Sequence, residues 1–198
     1  MLFSTRALNL ARQLGHWEWK CLLLINMAAS SEEIGEYTMA EVYNQEALGL
    51  IRQLDHREWL TYSLRIQGAL AIRRNDYAQA ETSLQEALAL ARQIEKPVYV
   101  CEVIKGLGDL ALIQHHLNAA EDYFSEMMHQ IPDGQQGVKA EALYRLGLVA
   151  AAKGETHEAK KRGDAALLIL DEIGNSRLSG EVRVWVEKGY QPSLPIAF

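Results

Sequence analysis

The sequence predicts an all-α solenoid built from stacked antiparallel helix pairs. Three observations predict it: a segment that returns every 40 residues, apolar positions spaced by three and four between turn signals, and small residues in fixed columns of the repeat.

The returning segment is Ala7-Leu8-Asn9-Leu10-Ala11-Arg12-Gln13-Leu14, which matches Ala47-Leu48-Gly49-Leu50-Ile51-Arg52-Gln53-Leu54 and then Ala87-Leu88-Ala89-Leu90-Ala91-Arg92-Gln93-Ile94. His16, Glu18 and Trp19 recur as His56, Glu58 and Trp59, and Tyr99 continues the aromatic column, so the likeness crosses from one helix into the next. A fourth copy, Ala166-Leu167-Leu168-Ile169-Leu170, follows after a one-residue deletion near Pro132-Asp133-Gly134.

In chain order, residues 3–16 form a half repeat, the second helix of a unit whose first helix is missing. Repeats follow at 17–56, 57–96, 97–136 and 137–175, each read as two helices. The first helices are expected over 17–33, 57–74, 97–115 and 138–153, with apolar faces such as Leu60, Leu64 and Ile66, or Val103, Leu107 and Leu110. Gly35-Glu36, Asn75-Asp76, His116-Leu117-Asn118 and Gly154-Glu155 end them. The second helices are expected over 37–54, 77–94, 117–131 and 156–173. Residues 178–188, with Val182, Val184, Trp185 and Val186, form a lone amphipathic helix suited to capping the last apolar face. Residues 189–198, with Pro192 and Pro195, form an extended tail.

The small-residue columns have a packing cause. Gly68, Gly108 and Gly147 share a column with Ala28, and a mid-helix glycine costs about 1 kcal/mol against alanine, so close helix approach must compensate. Ala40, Ala80, Ala120 and Ala159 form a second column, and Ala47, Ala87 and Ala166 a third with Met127 as its exception. Asn44 and Gly163 stand where Leu84 and Phe124 supply apolar bulk, so the first and last units are expected to pack less regularly.

With these columns the chain resembles the tetratricopeptide repeat (TPR) family, in its 40-residue long-helix variety. Leu107-Gly108 and Leu146-Gly147 match the family's Leu-Gly pair, and Asp76-Tyr77-Ala78-Gln79-Ala80 its turn into the second helix. The closing proline of each unit is present only at Pro132. The resemblance covers nearly the whole chain and implies a right-handed superhelical solenoid, with a protein or peptide partner bound in a concave groove lined by the first helices. Relatives of this long variety include bacterial transcription activators of the maltose-activator type, signalling ATPases with repeat sensor domains, and cell-polarity scaffolds. A ligand-sensing domain is therefore the alternative to an interaction or scaffold module.

Carrying the family's groove columns over gives Tyr62, Glu102 and Glu141 in one, Arg65, Lys105 and Tyr144 in a second, and Asp109 in a third, with Arg73 further along and Arg145 beside the second. Arg65 and Lys105 are the pair expected to meet a partner's carboxylates through charge-assisted hydrogen bonds. The family's carboxylate clamp for chaperone tails is not reproduced, because Ala69, Gly106 and Glu141 stand at its positions.

Composition narrows the function further. Among 198 residues, 48% hydrophobic and 23% charged describe a folded chain, and 20 basic against 26 acidic residues give a net charge of −6, which disfavours gripping nucleic acid by bulk field. Lys160-Lys161-Arg162, near Glu155 and Glu158, reads as a solvated helix face. The longest apolar run, broken by Asn26, falls far short of the roughly 20 residues a membrane span needs. Cys21 and Cys101 fall in one column two repeats apart, too far for a disulfide, and two free thiols point to the cytoplasm. His115, His116 and His157 read as turn residues rather than zinc ligands, so no metal is expected. Gly106-Leu107-Gly108 and Asp133-Gly134-Gln135-Gln136-Gly137 lack the context of a phosphate loop, so no cofactor is expected. No catalytic constellation is visible, and the chain is read as a non-enzyme. Trp17, Trp19, Trp59 and Tyr99, recurring at the repeat period, are expected to pack between units. The half repeat leaves an apolar edge without its usual neighbour, which predicts either a longer protein or a homodimer through that edge.

Overall fold

The computed structural model describes residues 2–192, with side chains from Arg6 onward. Ten α-helices and no strand are found among the described residues: α1 (Leu2–Leu14), α2 (Trp17–Glu33), α3 (Tyr37–Leu54), α4 (Arg57–Arg73), α5 (Tyr77–Ile94), α6 (Pro97–Ile113), α7 (Leu117–Gln130), α8 (Gln136–Ala152), α9 (Thr156–Glu172) and α10 (Ser176–Glu187). The boundaries follow local chemistry. Asp76 and Asn175 accept hydrogen bonds from Gln79 N at 3.1 Å and Leu178 N at 3.2 Å, each satisfying an orphan donor of the first turn. His56 accepts one from Trp59 N at 3.4 Å while its ring stacks on the Trp59 indole at 3.8 Å.

Termination is more regular still. One residue with positive φ stands between consecutive helices: Gly15, Gly35, Asp55, Asn75, Glu95, His115, Gly134, Gly154 and Gly174. The next residue's N–H reaches back to close the preceding helix at several of these turns, as Glu36 N to Ser31 O at 2.8 Å, Asp76 N to Ala71 O at 2.9 Å and Glu155 N to Ala150 O at 2.8 Å. These short turns send each helix back along its predecessor. Helix α7 stops at Gln130 because Pro132 lies just beyond it.

The described residues divide into two compact units, one up to Tyr99 and one from Val100 on. In the first, α2 packs on α3, α4 on α5, and α4 also touches α2 and α3. Its interior joins Leu8, Cys21, Leu24, Ile25, Met27, Ala47 and Ile51, with Ala28, Ala40, Ile66 and Leu70 alongside. In the second, α8 packs on α7 and α9, and α9 on α10, around Phe124, Leu148, Leu170, Val182 and Trp185.

The small columns sit where helices touch. Ala40, Ala80, Ala120 and Ala159 are all fully buried, as are Ala47, Ala87, Ala166 and the exception Met127. A Cβ on Gly68 would lie 2.6 Å from Leu84 Cγ, and one on Gly108 would lie 2.5 Å from Phe124 Cε1. The irregularity expected in the last unit has a specific form. Gly163 offers no bulk to Gly147, and Trp185 of α10 enters the resulting notch, its Cζ3 lying 2.8 Å from where a Gly163 Cβ would stand. The segment after α10 differs from the extended tail expected: Gly189 and Tyr190 have positive φ, Trp185 Nε1 donates to Gln191 O at 2.8 Å, and the Tyr190 hydroxyl donates to Asp164 at 2.7 Å. The remainder of that tail, residues 193–198, lies outside the described residues. Both cysteines are buried and free, and burial pushes the Cys101 thiol up to about 11.

Candidate functional site

The nine residues expected along one face fall into two sets, one in each unit. In the first unit, Arg65 of α4 places Nη2 3.1 Å from Glu32 Oε2 of α2, with those side chains only 14% and 7% exposed, and its guanidinium lies over the Tyr62 ring at 5.0 Å. Arg73, in the last turn of α4 where a cation suits the helix dipole, lies over the Tyr37 ring at 4.8 Å. Tyr62, Arg65 and Glu32 thus belong to one arrangement, and Arg73 to another on the same helix.

In the second unit the geometry is denser. Lys105 of α6 lies between two carboxylates, 3.2 Å from Glu102 Oε2 and 3.5 Å from Glu141 Oε1 of α8. One turn further along, Arg145 places Nε 2.8 Å from Asp109 Oδ1, and its Nη2 lies 3.7 Å from Glu141 Oε1. Asp109 is fully buried and Arg145 is 3% exposed. The Asp109–Arg145 contact is close but not aligned as a hydrogen bond, so both Asp109 oxygens remain without a directed donor. Burial therefore dominates: it pushes the Asp109 carboxyl up to about 6 against the charges of Arg145 and Lys105. Burial also opposes ionisation of Glu141, but there Lys105 and Arg145 together hold the carboxyl below its ordinary value. Burial raises the Tyr144 hydroxyl.

Beside this row, α8, α10 and the segment after it enclose a cavity of about 350 Å³ lined by Tyr144, Glu181, Val184, Trp185, Lys188, Gln191 and Pro192. Tyr144 and Trp185 meet edge to face at 5.5 Å, and Val184 is half exposed at the cavity. Sequence reasoning assigned this helix to capping alone. One further step of 40 along the same columns, from Glu141 to Glu181 and from Tyr144 to Val184, would have identified these wall residues.

Chemically the row can exchange hydrogen bonds with charged or polar groups, and the cavity can take an apolar side chain or a small molecule. Among the described residues no group of three or more His, Cys, Asp or Glu is gathered to hold a metal ion. The aromatic column divides. Trp59 is half buried against the core and Tyr99 donates to Glu58 Oε2 at 3.4 Å, whereas Trp17 and Trp19 are 56% and 64% exposed. A second cavity, of about 330 Å³, runs between α1 and α2 with Leu10, Leu14, Trp19 and Leu23 among its walls.

No protein-family model matches this chain. No curated protein matches it either. Solved structures do. BtubC from P. vanneervenii superposes with a TM-score of 0.67 at 17% identity over 80% of this chain and 66% of that one. A signal transduction ATPase with numerous domains (STAND), carrying a tetratricopeptide repeat sensor, from Pyrococcus horikoshii superposes with a TM-score of 0.68 at 16% identity over 83% of this chain and 26% of that one. This chain thus spans less than two thirds of either protein. At these identities the likeness establishes the fold, a TPR-like helical repeat.

Proposed function

We propose that this chain is a non-catalytic binding module that takes a partner polypeptide segment against the first helices of its repeats. The observation that carries the reading is the cavity between Tyr144 and Trp185, which has the size and apolar walls to seat one anchoring side chain. The adjoining row of Glu102 and Lys105 on α6 and Glu141 on α8 is partly exposed and supplies polar contacts around that anchor. A carboxylate on the partner reaches Lys105 in exchange for Glu102 or Glu141, and it reaches Arg65 in exchange for Glu32. The groove set is accordingly Tyr62, Arg65, Arg73, Glu102, Lys105, Asp109, Glu141, Tyr144 and Arg145, with Asp109 and Arg145 acting from the interior to hold α6 against α8.

Affinity capture from native lysate tests this reading. Wild-type chain retains a specific polypeptide, and Val184→Asp, a change at an exposed wall position, loses it. Capture of the same set by both forms would overturn it.

A second reading is favoured by the STAND neighbour, whose repeat region is described as a sensor. In it the same cavity holds a small effector, and native mass spectrometry of chain purified from its own cytoplasm would show a retained mass that Val184→Asp releases. Pairing of two chains through the α1 edge belongs with either reading. A cytoplasmic setting fits the two buried, free thiols. No helix among the described residues is long and apolar enough to cross a membrane.

A further inference from the structure

The repeat column that Leu84 and Phe124 fill with apolar bulk holds a carboxamide in the first copy. Asn44 is 2% exposed, and its Nδ2 donates to Ser63 O of α4 at 2.9 Å. Its Oδ1 has no donor, and Ser63 Oγ is likewise buried with no partner. A buried carbonyl oxygen without a donor is a standing cost that the next copy avoids with leucine.

Asn44 lines a cavity of about 300 Å³ between α3, α4 and α5, room for roughly ten water molecules. The other walls decide what fits. Glu41 and Arg74 form an ion pair, so the cavity presents no net charge. Gln79 accepts from Arg74 Nη2 at 2.7 Å and Gln67 accepts from Ser83 Oγ at 3.2 Å, which leaves both NH2 groups as donors. Gln45 donates to Glu41 at 3.4 Å and keeps its own carbonyl as an acceptor. Leu70 supplies an apolar floor. Carboxamides both donate and accept, as hydroxyl groups do, and a charged ligand would have to break the Glu41–Arg74 pair.

We propose that this cavity binds a small neutral polyhydroxylated molecule of monosaccharide size, one hydroxyl of which donates to Asn44 Oδ1. Oδ1 is buried as it stands, so the carboxamide turns about its soft terminal torsion to present it, exchanging the Nδ2–Ser63 O bond for bonds to the ligand's hydroxyls. The site lies in the first unit and is independent of the cavity beside Tyr144.

Titration calorimetry of the full chain with myo-inositol and with D-glucose tests the proposal. Saturable one-to-one binding of at least one probe is expected, weakened about tenfold or more in Asn44→Ala. Gln79→Ala, at the half-buried rim, weakens it severalfold and guards against a folding defect in the first variant. Val184→Asp binds as wild type. Absence of saturation by either probe up to about 50 mM, or wild-type affinity in both Asn44→Ala and Gln79→Ala, would mean that no such molecule is held in this cavity and would overturn the proposal.

Discussion

Gly49 and Gly108 both interrupt helix interiors, yet a methyl group at each would meet opposite surroundings. At Gly49 nothing lies within 4 Å of the added Cβ, so Gly49→Ala should stabilise by about 0.4–1 kcal/mol through lost unfolded-state freedom. At Gly108 the same methyl would press on the rigid, fully buried Phe124 ring, and overpacking of about 1–3 kcal/mol should outweigh the propensity gain. Urea unfolding midpoints that move in opposite directions for the two variants would bear this out, and equal shifts would refute it. Asp109 gives the residue scale a pH signature. Its folded value of about 6 lies above the ordinary carboxylate value, so the native state holds a proton that the unfolded chain releases from about pH 4 upward. Its contribution to stability is complete below pH 4 and is lost as pH rises toward 6. Asp109→Asn lacks this loss and should gain on wild type by on the order of 2 kcal/mol between pH 4 and 7, measured by denaturation at each pH. A constant difference across that range would contradict it.

At the scale of the element, Trp185 is the largest of the side chains that hold α10, beside the buried Val182 and the bonds of Ser179 and Arg183 to Asp171. Trp185 is 3% exposed and fills the notch between Gly147 and Gly163, so Trp185→Ala should cost about 3–5 kcal/mol in thermal unfolding. Leucine at position 163, the residue type of the second copy, clashes with Trp185 in the wild type but has space once the indole is gone. Gly163→Leu should therefore restore part of the loss in the double variant and destabilise on its own. The helices were legible in the sequence because Ala7, Ala47 and Ala87 announce their register and Asp76 the start of α5, whereas the start of α10 at Ser176, capped by Asn175, was placed two residues late. The destination of Trp185 was not, because it fills a hole left by an absent side chain in α9, and a missing group leaves no mark on α10's own pattern. The buried pair Asp109–Arg145 was legible only as two groove positions. Their depth depends on how closely α6 and α8 approach, which no spacing within either helix encodes. Trp19 and Trp59 were indistinguishable as letters and differ because α2 covers only the second.

On the scale of the whole molecule, the unequal ends of the repeat array matter. At the seam of α3 and α4, Trp59, Leu60 and Tyr62 pack against Cys21, Leu24 and Ile25 of α2. The corresponding seam of α1 and α2 has no such cover among the described residues, and Leu10, Leu14, Trp17 and Trp19 are each more than half exposed. Apolar surface of this kind favours self-pairing. Sedimentation at about 50 µM should show a dimer that Trp19→Glu converts to monomer, and a wild-type chain that stays monomeric would rule the pairing out. The positive-φ residues recur every 20 positions from Gly15 to His115, and after a single slip at Gly134 they resume the same interval through Gly154 and Gly174. That cadence governs how such a chain can change its length. Lineages descended from it should gain or lose material in whole hairpins, with stray single-residue indels surviving only at the joints.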